Sequence, residues 1–163
     1  MYYLYLDRGV TNSVDNNIAF FAEKGKINIE TSLDFFTADT KITGSKNHAV
    51  YEEYKKVASR LIDQDLALLE KKFNAYKDGK TSEVVTINTQ QENLLKKKYL
   101  FTTNFAVNHK DSEVAPYLAL AEIYDINLKY LDTIQKSLTP NVSKSIYGKK
   151  LDALIKERKA TEK

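Results

Sequence analysis

Over the first 45 positions short aromatic and aliphatic runs alternate with turn-rich polar stretches, and from there onward apolar residues recur at every third and fourth place. The chain therefore predicts strands followed by helices. Residues 2–6 set Tyr3 and Tyr5 on one strand face and Leu4 and Leu6 on the other. Residues 7–17 are rich in Asp, Asn, Ser and Gly and predict a loop. Residues 18–22 and 26–30 flank Glu23-Lys24-Gly25. Glycine in the last place of a three-residue connection, where φ turns positive, predicts a hairpin. In its second strand Ile27 and Ile29 oppose Lys26, Asn28 and Glu30, so one face of an antiparallel sheet is wet. A short strand around Lys41–Thr43 ends at Gly44-Ser45.

The first helix is predicted over Lys46–Lys77, with Val50, Tyr54, Val57 and Leu61 in one stripe. The stripe resumes one position later as Ile62, Leu66, Leu69, Phe73 and Tyr76, which predicts a long helix wrapping a core, or one with a bend. Asp78-Gly79 closes it. A second helix over residues 83–108, capped by Thr81 or Ser82, carries Ile87, Leu94, Phe101 and Phe105 inward. Its start is poorly defined, because Val84, Val85, Thr86 and Ile87 are β-branched. Ser112 is expected to cap a third helix that faces Leu118, Ala121 and Tyr124 inward. A fourth covers residues 128–138, and a fifth, capped by Ser143, directs Tyr147, Leu151, Leu154 and Ile155 inward. Residues 158–163 read as a frayed polar tail. The expected fold is α+β: a small N-terminal antiparallel sheet, then a helical lobe of about five helices. Residues 1–163 are expected to form one domain, with a β-rich part at 1–45 and a helical part at 46–163.

Composition narrows the chemistry. There is no cysteine, so thiol nucleophiles, disulfides and thiolate-held zinc or iron–sulfur centres are excluded. The two histidines, His48 and His109, have no second histidine in helical ligand register. His109, Asp111 and Ser112 include the residue types of a hydrolase triad, but they are sequence neighbours, whereas a triad is assembled from separate elements. The five glycines form no phosphate loop or dinucleotide fingerprint. No cofactor, metal site or catalytic residue is expected. The net charge of +3 divides into −2 over residues 1–45 (six acids, four bases) and +5 over 46–163 (16 acids, 21 bases). This excess is lysine-rich, and Lys96-Lys97-Lys98 fans over roughly 200° of a helix, so nucleic acid is not an expected partner. No window is long and apolar enough to span a membrane. The chain is rich in aromatics, with 11 tyrosines and seven phenylalanines. Tyr54, Phe73, Phe101, Phe105 and Tyr147 fall on core stripes. Tyr2-Tyr3 and Phe35-Phe36 are adjacent pairs, and neighbours in a strand face opposite ways. They are the expected partner surface.

The stretches FFAEKGKINIE, TKITGSKNHAVYEEY, FAVNHKDSEVAPYLAL and YGKKLDALIKE resemble, over about residues 2–158, a region of the Bacteroidetes-type thiol–disulfide oxidoreductases. That region is the domain preceding the thioredoxin module in these TlpA-like proteins of the AhpC/TSA class. The residues carrying the resemblance are Glu23 and Gly25, then Gly44, Ser45 and Asn47, then Phe105, Asn108, Ser112 and Ala115. The chain departs from the pattern at His109, where the family often has proline, and in holding no Cys-x-x-Cys module. The resemblance implies a fragment of a longer chain and a periplasmic or cell-envelope location. It also implies a non-catalytic accessory role: positioning its own thioredoxin-like module, forming a homodimer, or holding a client. The alternative is a stand-alone small-molecule or lipid-binding protein. An enzyme and a weak nucleic-acid binder rank below both.

Overall fold

The fold is described from a computed structural model, over residues 1–7 and 14–162. Two small antiparallel sheets come first, then helices, so the α+β expectation holds. Two compact units divide the chain within its first long helix: Met1–Glu52 and Glu53–Lys163.

In the first unit β1 (Tyr2–Tyr5) pairs with β2 (Asn17–Phe20), and β3 (Asn28–Glu30) with β4 (Lys41–Thr43). The expected loop at 7–17 falls mostly on residues 8–13, outside the described residues, and ends in a 3-10 turn at Val14–Asn16. Single-sequence alternation cannot choose strand partners, and here the hairpin predicted between residues 18–22 and 26–30 gives way to these two pairings. Gly25 takes the positive φ of 131° that the reading required. Glu23 beside it is drawn elsewhere, to the start of helix α1. The β3–β4 ladder sets Ile29 opposite Ile42 and Glu30 opposite Lys41, an apolar and an opposite-charge cross-strand pair. Residues 31–40 are stitched by short side-chain bonds: the Thr31 and Thr40 hydroxyls both donate to the Phe36 carbonyl (2.5 and 2.7 Å), and the Ser32 hydroxyl donates to Asp39 (2.6 Å).

Helix α1 covers Lys46–Lys77, the predicted span. From Glu53 on, the second unit contains the rest of α1, α2 (Thr81–Asn108), α3 (Val114–Ala121), α4 (Leu128–Ser137), α5 (Pro140–Ser143) and α6 (Ile146–Thr161). Its core joins Ala106 of α2, Ala115 and Ala119 of α3, Leu131 and Ile134 of α4, and Leu151 and Ile155 of α6, all buried. Helix α2 begins at Thr81 with no side-chain cap, contrary to expectation. Its β-branched first turns are held by tertiary packing, with Val84 and Ile87 buried against Ala75 and Leu68 of α1. Burial of such side chains at about 1.5–3 kcal/mol each exceeds their modest propensity deficit. Ser112 accepts a hydrogen bond from the Val114 N–H (3.2 Å) and lies one residue ahead of Glu113, the N-cap position of α3. Tyr124 and Ala121 are exposed rather than inward, because α3 ends at Ala121 and the turn beyond buries Ile123 and Ile126 instead. The last helix is capped by Ser145, whose hydroxyl accepts from the Gly148 N–H (3.2 Å); Ser143 closes the one-turn α5. Residues 158–161 are helical rather than frayed. The Arg158 guanidinium donates to the carbonyls of Tyr124 and Ile126 (both 2.7 Å), closing the turn before α4.

Tyr54 lies at the centre of an aromatic cluster in this unit, stacked on Phe101 (5.4 Å) and edge-on to Phe105 (5.4 Å). Its hydroxyl shares a 2.9 Å hydrogen bond with Thr102. Burial pushes its pKa from the usual 10.0 to about 12. The neutral phenol is therefore favoured in the fold, so its contribution is complete below pH 10 and is lost as pH rises towards about 12. Urea unfolding between pH 8 and 12 should show the wild type losing about 2–3 kcal/mol more than Tyr54→Phe across that window. Parallel curves would contradict this ionisation.

Candidate interaction surface

Glu23, Gly44, Ser45 and Asn47 of the first unit meet at one helix terminus. The Glu23 carboxylate accepts from the backbone N–H groups of Lys46 (2.6 Å) and Asn47 (3.1 Å), and from the Asn47 side-chain amide (2.8 Å). The Ser45 hydroxyl accepts from the His48 N–H (2.9 Å). Three of the orphan donors at the start of α1 are thereby satisfied, with a negative charge at the positive end of the helix dipole. Gly44 precedes this cap with φ +87°, and its backbone lies against Lys26: a Cβ there would sit 2.1 Å from the Lys26 carbonyl oxygen. Glu23, Gly44, Ser45 and Asn47 thus form a tie between strand connection and helix. It leaves the carboxylate saturated rather than free for chemistry.

In the same unit Tyr2, Tyr3, Leu4 and Tyr5 of β1 are all exposed, with Tyr3 and Tyr5 rings 6.2 Å apart. Phe35 is exposed and Phe36 buried, within the turn-rich segment rather than in a strand.

In the second unit the apolar line of α1 that begins at Ile62 lies open. Ile62, Leu66, Leu69, Phe73 and Tyr76 are each between 52% and 69% exposed. The expectation that this line, Phe73 included, packs in a core is therefore corrected. The neighbouring line does the packing: Leu68 and Ala75 meet Val84 and Ile87 of α2, and Asp65 and Lys72 both bond Gln91 of α2 (3.1 and 3.3 Å). A helix presents one face to one partner helix, and a stripe displaced by one residue is rotated by about 100° from it. Two exposed residues of α2, Val85 and Leu95, fall in the helical row adjoining this side. Leu95 lines a groove of about 210 Å³ together with Ile62, Leu66 and Leu94. On the other side of the helix pair a groove of about 420 Å³ is lined mainly by polar side chains, among them Gln64, Lys71, Gln90, Asn93 and Lys97.

The sequence held a signal for this surface. An unbroken 4-3-4-3 spacing after a one-residue step asks for a second covering element, and the next helix, α2, is already committed to the line of Leu68 and Ala75.

Polar groups do not converge comparably. His109 lies stacked on Phe105 (4.0 Å), its Nδ1 at the Phe105 carbonyl (3.0 Å) and its Nε2 3.6 Å from Glu53. The Ser112 hydroxyl is occupied by the Val114 N–H. His48 is buried with its Nε2 3.2 Å from Glu52. Among the described residues no three of His, Asp and Glu are grouped to hold a metal, and no helix is long and apolar enough to cross a membrane.

A family model described as a domain of unknown function (DUF4369) matches residues 1–51. That span closely coincides with the first compact unit, Met1–Glu52. No curated protein and no solved structure matches the chain.

Proposed function

We propose that this chain is a non-catalytic interaction module of a cell-envelope thiol–disulfide oxidoreductase, working beside a thioredoxin-like module of the same longer polypeptide. The observation that carries the interaction role is the exposed row Ile62, Leu66, Leu69, Phe73 and Tyr76 on a helix whose adjacent face is already packed. A contiguous apolar band of this size on a soluble unit marks a surface that another surface covers. The redox association rests on the resemblance carried by Glu23, Gly25, Gly44, Ser45 and Asn47. With no cysteine in the chain, the electron-transferring thiols belong to the neighbouring module. Tyr2, Tyr3 and Phe35 offer a second, smaller contact surface in the first unit.

The test begins with the coding sequence downstream of Lys163, which is expected to encode a Cys-x-x-Cys module; a stop codon without one ends the tethered version. In the longer protein, Leu66→Gln combined with Phe73→Gln should slow disulfide exchange with a protein client. Exchange with a small dithiol, which needs no docking surface, should keep its rate. Equal rates with the protein client before and after substitution would overturn the accessory role.

A further inference from the structure

The α1 row has the spacing of a coiled-coil seam. Ile62, Leu66, Leu69, Phe73 and Tyr76 follow one another at intervals of four, three, four and three, and occupy alternate d and a positions. Isolated exposed apolar residues need no explanation, but five in heptad register on one face do. Leu95 of α2, which lines the groove beside Ile62 and Leu66, extends the row with a sixth large half-exposed side chain.

The flanking charges select the occupant and its direction. In this register Asp63, Glu70 and Lys77 take the e positions, on the edge of the row away from α2, and Asp65 and Lys72 take the g positions. The g edge is turned to α2, since both side chains bond Gln91. A second copy docked parallel would oppose g to e as Asp65 to Glu70 and Lys72 to Lys77, like charge on like in both pairs. Docked antiparallel, with Leu69 against Phe73 of the second copy and Leu66 against its Tyr76, Asp63 meets Lys77 of the second copy, and the symmetry repeats the pair. Near the axis Glu70 and Lys72 then each face their own counterpart, one like-charge pair at e and one at g, against the two like-charge pairs that parallel docking makes twice over.

We infer that the open row is a homodimer interface in which the α1–α2 hairpins of two copies dock antiparallel, making a four-helix layer around Leu66, Leu69, Phe73 and Tyr76. The contact is isologous: each row is its own complement. This rests on the interaction role proposed above and names its partner.

Sedimentation equilibrium over a wide concentration series tests it. The wild type should pass from monomer to dimer, and Leu69→Lys should weaken association at least about 100-fold by placing a charge from each copy in the buried seam. Leu69 is half-exposed in the single chain, so circular dichroism and melting of this variant at low concentration should match the wild type. Register is read independently by thiols, since the chain has no cysteine of its own. An equimolar mixture of Leu69→Cys and Phe73→Cys chains should, on oxidation, form the mixed disulfide well above the half that random pairing gives. Two homodisulfides in excess would mean parallel docking and overturn the antiparallel assignment. A strict monomer at the highest concentration, or a dimer indifferent to Leu69→Lys, would overturn the interface itself. A monomer whose Leu66/Phe73 variant still loses client exchange would leave the accessory role standing. A dimer whose variant exchanges normally would do the reverse.

Discussion

Gly148→Ala is expected to destabilise the second unit by about 3 kcal/mol, although helix propensity alone predicts a gain of about 1 kcal/mol for that change inside a helix. The sign is decided by packing. Gly148 sits in the first turn of α6, and a Cβ there would lie 2.2 Å from the Val142 carbonyl oxygen and 2.6 Å from that of Ser143. Both atoms are backbone of the one-turn α5, so no rotamer change can make room. Relief requires α6 to move away from α5. That motion would strain the Ser145 cap, whose hydroxyl accepts from the Gly148 N–H itself, and disturb Leu151 and Val142, which are buried in the same core. A melting temperature lowered by roughly 10–20 °C is the expected reading, with Lys149→Ala, exposed on the next position, close to wild type. An unchanged or raised melting temperature would contradict the close approach of α5 and α6.

The second large effect is expected at Gly44→Ala. The backbone there has φ +87°, which alone costs a non-glycine residue about 1–2 kcal/mol. The added methyl would in addition meet the Lys26 carbonyl oxygen at 2.1 Å. The two together should exceed about 3 kcal/mol. They act where β4 turns into α1, so the amides of Ile42, Lys46 and Asn47 should lose hydrogen-exchange protection. Gly25→Ala separates the two causes. Gly25 also has positive φ, 131°, but an added Cβ meets nothing within 4 Å, so it should cost only the backbone part. Equal losses at the two glycines would mean that the contact with Lys26 contributes nothing.

Local signals were legible wherever the chain carries its own punctuation. Helix α1 starts after Gly44-Ser45 and stops before Asp78-Gly79, as the spacing of its apolar residues and these breakers predict. Strand β4 is equally readable. The start of α2 was not, because its β-branched residues oppose a helix locally and only Ala75 and Leu68, on another helix, reverse the preference. The cap of the last helix was misplaced by two residues. Two serines, Ser143 and Ser145, suit the role equally in composition, and the one-turn α5 that ends at Ser143 is too short to leave a period. Arg158 looked like tail polarity, since its acceptors are carbonyls more than 30 positions away.

The candidate surface divides along the same line. The spacing from Ile62 to Tyr76 is written in the sequence, and spacing sets which side chains share a helix face. It does not say whether anything lies opposite that face. Coverage depends on where α2 packs, and its buried contacts fall on the row of Leu68 and Ala75, one position away. The sequence alone thus determined the α+β class, the long helix and an apolar stripe that steps by one position along it, because propensity, capping and periodicity are local. Only the tertiary structure decided that β1 pairs with β2 and β3 with β4, that Glu23 closes the start of α1, and that the stripe beyond that step stays open. Each of these is a choice among distant partners, settled by which contacts together bury the most apolar surface and satisfy the most polar groups.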